Sequence, residues 1–263
     1  MEKKEFIRTY FNNSKIPITD TQADQLCRYY EFLVEYNEKV NLTAITDFED
    51  VVRKHFADSS VLLPMIREKA ASGGENSPAL TLIDVGTGAG FPGMVLKILE
   101  PDLKVTLLDS LNKRILFLEE LIRILELDRM TVVPVHGRAE DLAHTFSYRE
   151  KYDFAVSRAV ANLTTLSEYC LPFVKRGGTF VAYKSLSAEE ELASAEFAVK
   201  TLGGATPKKI PVELPGLDAE RNLIVIEKVS PSPKAYPRKA GTPAKSPLTQ
   251  TGKMPSSSNK SHA

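Results

Sequence analysis

The spacing of apolar residues changes along the chain, and the change divides it. From Met1 to about Gly74 the pattern is helical. Leu26, Tyr29, Tyr30, Leu33 and Val34 recur at steps of three and four and predict one buried helix face. Thr19 or Asp20 is placed to cap that helix. A second helix is predicted to begin near Phe48, turning Val51, Val52 and Phe56 inward and leaving Arg53, Lys54, His55 and Asp58 on an outer or cleft-facing side. The stretch ASGGENSP, Ala71–Pro78, reads as a turn-rich linker. Beyond it, short β-type runs cover Leu80–Val85, Lys104–Asp109, Thr131–Val135, Phe154–Ser157 and Thr179–Tyr183. They alternate with helical runs near Gly93–Leu99, Leu111–Leu125, Leu163–Lys175 and Ala188–Leu202, the order of a parallel sheet wrapped by crossover helices. Two further runs, Lys208–Leu214 and Asn222–Lys228, are close enough to form a hairpin, so the sheet is expected to end in antiparallel strands. The predicted organisation is an N-terminal helical region (1–78), an α/β domain (79–229) and a tail (230–263).

Composition narrows the class. With 263 residues, 43% of them hydrophobic, the chain can bury one large domain or a catalytic domain with an appendage. Cys27 and Cys170 lie far apart within apolar helical patterns and offer neither a disulfide framework nor metal-ligand spacing. No run approaches the roughly 18 apolar residues of a membrane span, and MEKKEFIRTYF lacks an apolar export segment. The expectation is a soluble cytoplasmic protein without metal, with a monomer as the default. The net charge of zero hides an asymmetry. Lys234, Arg238, Lys239, Lys245, Lys253 and Lys260 stand in a tail without acidic residues, which leaves 28 of the 34 basic residues against all 34 acidic ones in the body. A basic, proline-rich tail on an acidic body suggests a polyanion partner, with a merely solvated tail as the alternative.

The stretch LIDVGTGAGFPG, Leu82–Gly93, carries the chemistry. In a parallel sheet of this kind, ligands bind beyond the carboxyl ends of the strands where the strand order reverses. Gly86, Gly88 and Gly90 permit a tight turn with close backbone approach, and Pro92 suits the first turn of the following helix. A dinucleotide would set its pyrophosphate against that helix, where the nearby Asp84 opposes the charge preference. S-adenosylmethionine brings an ammonium and a sulfonium instead, and a carboxylate favours both. Asp109, about twenty residues on, can accept hydrogen bonds from the ribose hydroxyls of either cofactor. Asp84 as a turn cap and Asp109 as a strand-end cap are the competing readings. In HGRAED, the backbone of Ala139 and the side chain of Glu140 are candidates to meet an adenine. SRAVANL, after the fourth strand, lacks the Asn/Asp-Pro-Pro-aromatic signature of exocyclic-amine methyltransferases. Nor is there a nucleophilic cysteine of the kind that pyrimidine-C5 enzymes need, because Cys170 falls on an apolar helix face.

Six stretches together carry a resemblance: NLTAITDFEDVVRKHFADS (Asn41–Ser59), DVGTGAGFPG, TLLDSLNKRILFLEEL, VHGRAED, SRAVANL and YPRKAGTPAKSPL (Tyr236–Leu248). The chain resembles the bacterial small-subunit ribosomal RNA guanine-N7 methyltransferases over about residues 5–248, and the terminal QTGKMPSSSNKSHA, unmatched, reads as disordered. The resemblance implies a Rossmann-like class I S-adenosylmethionine-dependent methyltransferase fold, with a mostly parallel seven-stranded sheet and an antiparallel terminal strand. It further implies methyl transfer to N7 of a single guanine, guanine 527, of 16S rRNA in the small ribosomal subunit. Carried over by motif, the cofactor contacts are Gly86, Phe91, Asp109 with Ser110 and Leu111, Ala139 with Glu140, and Arg158, the last also the candidate catalytic residue. A structural ion pair at the sheet edge is the other reading of Arg158. Guanine N7 is a bare acceptor, so His55, His136 and His144 need no catalytic role, and alignment can supply roughly 7–11 kcal/mol. His136 reads as a packing or surface residue and His144 as a solvated one.

The RNA contacts expected are Arg53, Lys54, Lys184, Arg221, Arg238 and Lys239, with Tyr236 as a stacking ring beside the last two. Deleting residues 234–263 is expected to weaken RNA methylation and spare cofactor binding. Two other classes stay open at this point. One is a nicotinamide-dependent oxidoreductase, which the glycine loop alone allows although no Tyr-x-x-x-Lys motif is present. The other is a noncatalytic ribosome-binding factor on the same fold.

Overall fold

The computed structural model describes residues 2–74, 77–184, 188–216 and 221–250. Its N-terminal region begins with α1 (Lys3–Asn13) and α2 (Asp20–Val40). Thr19 is the cap and Asp20 the first helical residue. Thr19 Oγ1 accepts from the Gln22 N–H at 3.2 Å, and Gln22 Oε1 accepts from the Thr19 N–H at 2.8 Å, so each completes the other's backbone. Of the predicted α2 face, Leu26, Tyr29 and Leu33 are buried together with Ala23, whereas Tyr30 and Val34 flank it half-buried. The second predicted helix is one continuous helical stretch that changes pitch: α3 (Phe48–Val51), a π-helical turn (Val52–Ala57) and α4 (Asp58–Ser60). Val51, Val52 and Phe56 face inward as expected. The helix α5 (Leu63–Ser72) extends into the predicted linker, which therefore starts at Gly73; its Glu75 and Asn76 lie outside the described residues.

The α/β domain follows the predicted alternation. Its strands are β1 (Thr81–Val85), β2 (Lys104–Asp109), β3 (Val132–His136), β4 (Tyr152–Arg158), β5 (Val174–Lys184), β6 (Lys208–Val212) and β7 (Arg221–Glu227). They form one sheet in the order β3-β2-β1-β4-β5-β7-β6, parallel from β3 to β5. The last strand of the chain, β7, is the reversed one, and it inserts between β5 and β6 as an antiparallel partner of both. Helices α6 (Gly93–Leu99) and α7 (Asn112–Ile124) cover one face with the N-terminal region, while α8 (Ala139–Leu142), α9 (Leu163–Cys170) and α10 (Ala188–Thr201) cover the other. Successive strand residues point to opposite faces, so Leu82 joins the first core and Ile83 and Val85 the second. The strand order reverses between β1 and β4, and the Gly86–Gly90 turn lies there.

The tail packs against the domain and leaves Lys234, Lys239 and Lys245 exposed. Residues 230–250, with the short α11 (Thr242–Lys245), lie along the α8–α9 face. Lys228, at the end of β7, is fully buried, and its ammonium donates to the Leu171 carbonyl (2.7 Å) and Ser232 Oγ (2.6 Å) beside Glu150. Burial lowers its pKa to about 8. Arg149 donates to the carbonyls of Ser232 (2.8 Å) and Tyr236 (2.9 Å). Arg238 grips the buried Glu168 carboxylate through Nη2 (2.6 Å), Nε (2.9 Å) and its own backbone N–H (2.7 Å). Lys253 and Lys260 lie outside the described residues.

Removing one member of a buried ion pair leaves the other charge unsolvated, at about 3–5 kcal/mol when fully buried. Since a quarter of the Arg238 side chain stays exposed, Arg238→Ala is expected to lower the unfolding free energy by about 2–3 kcal/mol, measured by urea denaturation at pH 7. Loss of less than about 0.5 kcal/mol, the level of an exposed pair, would contradict this. The same contacts change the expectation for truncation. Deleting residues 234–263 removes partners of Glu168, Arg149 and Glu140, so the shortened protein is expected to lose thermal stability and, with α8 disturbed, cofactor affinity in a binding titration.

Candidate active site

The site is built around the turn that leaves β1. The N–H groups of Gly86 and Thr87 both donate to the Leu108 carbonyl, at 2.8 and 3.1 Å, folding the turn back over β2. Gly86, Gly88 and Gly90 have φ of 75°, 61° and 98°, a region where a side chain is strained. A Cβ on Gly86 would also come within 2.6 Å of Val160, whereas at Gly88 it would meet nothing, so only the backbone angle demands glycine there.

Two carboxylates hold this turn from below. Asp84 Oδ2 accepts from the Gly93 N–H (2.8 Å) and from Thr87 Oγ1 (2.7 Å), which makes it a cap for α6. Its Oδ1 is buried and has no partner among the described residues. Burial raises the Asp84 pKa to about 6, against the opposing pull of those two hydrogen bonds. Asp84 thus serves as the cap through one oxygen and leaves the other without a partner among the described residues. Asp109 is fully engaged: Oδ2 accepts from Gly88 N–H (2.9 Å), Oδ1 from Leu111 N–H (2.9 Å), and Arg114 pairs with it at 3.1 Å. The strand-end capping role expected of Asp109 is present in this structure, with Arg114 in the first turn of α7 covering its carboxylate. Ser110 and Leu111 are exposed on the rim beside it.

Further candidate residues make packing or tail contacts. Glu140 turns its carboxylate to the Gly241 N–H of the tail (2.8 Å) and is buried, so only the backbone of Ala139 and Glu140 remains for an adenine. Phe91 points into the N-terminal helices, stacked between Tyr29 (5.3 Å) and His55 (4.6 Å), and is a packing contact between helices and glycine turn. Tyr236 packs half-buried against the second core, and Arg238 is held by Glu168; of that trio only Lys239 is exposed.

Arg158 ends β4 at the strand reversal, in the middle of the sheet and not at its edge. Its guanidinium donates to Asp58 Oδ2 (2.8 Å) and to the Lys54 carbonyl (3.2 Å), and lies 5.1 Å from the Phe91 ring. His55 sits between Phe91 and Arg158, where burial and then the Arg158 charge push its pKa down to about 4, leaving the ring neutral at pH 7. Asp58 is buried and also accepts from Arg221 Nε at 3.0 Å. The predicted cleft-facing side of the second helix is real: Lys54, His55 and Asp58 wall a cavity of about 450 Å³ with Arg158, Lys184 and Arg221. Tyr183 and Asn222 also line it, and the sequence offered no sign of them, since a strand residue's neighbours depend on which strands pair. Of the proposed RNA contacts, Arg53 pairs with Glu49, Lys54 with Asp50 and Lys184 with Glu191.

His136 is exposed and bonds the Ser110 carbonyl (3.1 Å), and His144 bonds that of Pro237 (2.7 Å). Cys170 is fully buried, and burial raises its pKa, which suits a structural thiol. Among the described residues no group of three acidic, histidine or cysteine side chains is placed to hold a metal, and no helix is long and apolar enough to cross a membrane.

The family model for GidB, rRNA small subunit methyltransferase G, matches residues 22–223. A ribosomal RNA small subunit methyltransferase G of Lachnoclostridium phytofermentans is 51% identical over 227 residues, 86% of this chain and 90% of its own. One from Alkaliphilus oremlandii is 49% identical over 248 residues, 94% of this chain and 100% of its own. Among solved structures, a protein of Corynebacterium glutamicum at 17% identity aligns with a TM-score of 0.52, covering 87% of this chain and 98% of that one, and shares the fold.

The raised pKa of Asp84 has a consequence for stability. The folded state holds this proton more tightly than the unfolded chain, so the contribution is full below about pH 4 and is lost as pH rises through about 6. Relative to Asp84→Asn, the wild-type protein is expected to lose about 2–3 kcal/mol across that window, measured by urea unfolding without ligand. A difference that stays constant with pH would contradict the assignment.

Proposed function

The chain belongs to the rRNA small subunit methyltransferase G family, and on that premise we propose that its acceptor is N7 of one guanine of 16S rRNA in the small ribosomal subunit, guanine 527 by resemblance. It is an S-adenosylmethionine-dependent rRNA methyltransferase, which displaces the oxidoreductase and noncatalytic readings. The observation that carries the cofactor site is the unpartnered Oδ1 of Asp84 beneath a glycine turn. A buried carboxylate oxygen without a donor suits an ammonium, reached directly or through ordered water, and opposes a pyrophosphate.

The cofactor, when bound, supplies an electrophilic methyl on a sulfonium. The chain's own groups do the rest. Gly88 admits the ligand against bare backbone, Gly86 and Gly90 let the turn pack against Val160 and against Tyr29 and Met94, Asp109 keeps the turn in place, and Ser110, Leu111 and the Ala139 backbone border the adenosine side. Arg158 joins the two halves, since it ends the strand beside Asp84 and faces the 450 Å³ cavity. The acceptor base belongs in that cavity, over β4, β5 and β7. Guanine N7 offers a lone pair and carries no proton, so nothing has to be removed before it attacks, in keeping with a neutral His55 that already has a packing role. Positive charge passes from sulfur to base, and the rate rests on alignment. Lys54, Arg53, Arg221 and the exposed Lys239 are the cations we assign to RNA phosphates.

The test is transfer of labelled methyl to small subunits lacking their natural modification, with N7-methylguanine mapped by chain cleavage. One strong site is expected, reduced at least about 100-fold by Asp84→Asn or Arg158→Ala, consistent with about 3 kcal/mol for a buried charged contact. Methyl transfer to another atom, or none despite tight cofactor binding, would overturn the acceptor.

A further inference from the structure

Lys184, the last residue of β5, borders the cavity, but its ammonium is engaged on the other side of the sheet. Successive strand residues point to opposite faces. Tyr183 belongs to the core under the N-terminal helices and Ala182 to the core under α9 and α10, so Lys184 reaches toward α9 and α10. There its Nζ donates to the Ala161 carbonyl at 2.8 Å and pairs with Glu191 Oε2 of α10 at 2.7 Å. The same Glu191 oxygen accepts from the Leu163 N–H at 2.8 Å, and Asn162 caps α9 by accepting from the Thr165 N–H at 2.9 Å. The Lys184 and Glu191 side chains are 14% and 26% exposed. Together they grip the loop 159–162, which leads from β4 to α9.

That loop has two features that need such a grip. Ala159 has a φ of 56°, a conformation strained for a residue with a Cβ and kept only where the surroundings enforce it. Val160, the next residue, is 43% exposed and lies against Gly86 of the glycine turn. Arg158 and Ala159 line the cavity. The loop therefore spans from the cofactor turn to the space assigned to the acceptor base.

We propose that Lys184 and Glu191 are positioning residues for methyl transfer: their ion pair holds the loop 159–162 in the strained conformation that aligns the glycine turn with the acceptor cavity. The inference rests on the acceptor reading above and replaces the phosphate contact expected of Lys184. Methyl transfer depends on the alignment of the reacting groups, and a misplacement of about 1 Å can cost about 100-fold in rate. A loosened loop therefore shows in turnover and not in RNA affinity. A phosphate contact shows the reverse, because each one contributes about 0.7–0.9 to the slope of log affinity against log salt.

The experiment compares the full chain with Lys184→Met, Glu191→Ala and the double variant on small subunits lacking their natural modification. Each single variant is expected to lower kcat about 30-fold, with KM for the subunits within about twofold and its salt slope unchanged. The double variant is expected to lie within about threefold of either single one, because both break the same contact. Ala159→Gly added to Lys184→Met is expected to restore kcat about threefold, since glycine adopts a positive φ without strain; a lost phosphate contact gains nothing from that change. A raised KM in Lys184→Met with kcat unchanged and a flatter salt slope overturns the proposal. So does Glu191→Ala if it binds subunits more tightly at unchanged kcat, as expected when a cation is freed for RNA, and that arm decides the matter even if Lys184→Met does not fold. Without any substrate, the Val160 methyl resonances in NMR spectra are expected to move in both single variants, and unmoved resonances overturn the proposal as well. Failure of the wild-type enzyme to methylate guanine N7 would refute the acceptor reading alone, with the Val160 spectra still deciding whether the pair holds the loop.

Discussion

A single buried carboxylate, that of Asp58, bonds Arg158 at the end of β4 and Arg221 at the start of β7, and the active-site end of the molecule is organised around it. Three charges at low exposure are tolerable only when they satisfy one another. Satisfying them requires that the N-terminal helical stretch, the central strand and the reversed strand meet at one point. The π-helical turn ahead of Asp58 belongs to the same arrangement, for it presents His55 to Phe91 of the glycine turn while Asp58 reaches the arginines. The N-terminal helices are therefore a wall of the cavity as well as a cover for the sheet.

The cofactor side obeys a related constraint with different groups. Asp84 and Asp109 both lie under the glycine turn, but Asp109 is saturated by two backbone N–H groups and Arg114, while Asp84 keeps one oxygen unpaired. Two carboxylates near the ends of adjacent strands thus differ, one with every oxygen engaged and one with an oxygen left open. The adenosine side is supported from a distance. Glu140 at the start of α8 is held by the Gly241 N–H, and Arg238 by Glu168 of α9, so the tail props α8 and α9.

That tail shows how the same residues support different conclusions in sequence and in space. Its basic residues, read as a linear patch, suggest a polyanion. In three dimensions Arg238 neutralises a buried glutamate and only Lys239 of the pair stays exposed, while the cations gathered at the cavity, Lys54, Arg158, Lys184 and Arg221, come from four separate places in the chain. The cations at the cavity and those exposed on the tail, Lys234, Lys239 and Lys245, form separate groups, which charge counting along the sequence does not show.

By itself the sequence determined the elements and the cofactor end of the sheet. The apolar periods mark α2, the second helix and all seven strands, because side-chain spacing is set by local backbone geometry. Asp84, the three glycines and Asp109 are legible as one site because β1, its turn and β2 are consecutive in the chain, and the six matching stretches make the family recognisable. Only the tertiary structure decided which polar groups face the ligands and which face each other. Glu140, Phe91 and Arg238 turn to packing partners 36 to 101 positions away, and Tyr183 and Asn222 reach the cavity through the pairing of β5 with β7. Partner choice over such separations depends on which elements pack together and on the need to leave no buried charge alone, and neither condition is written in the spacing of residues along the chain.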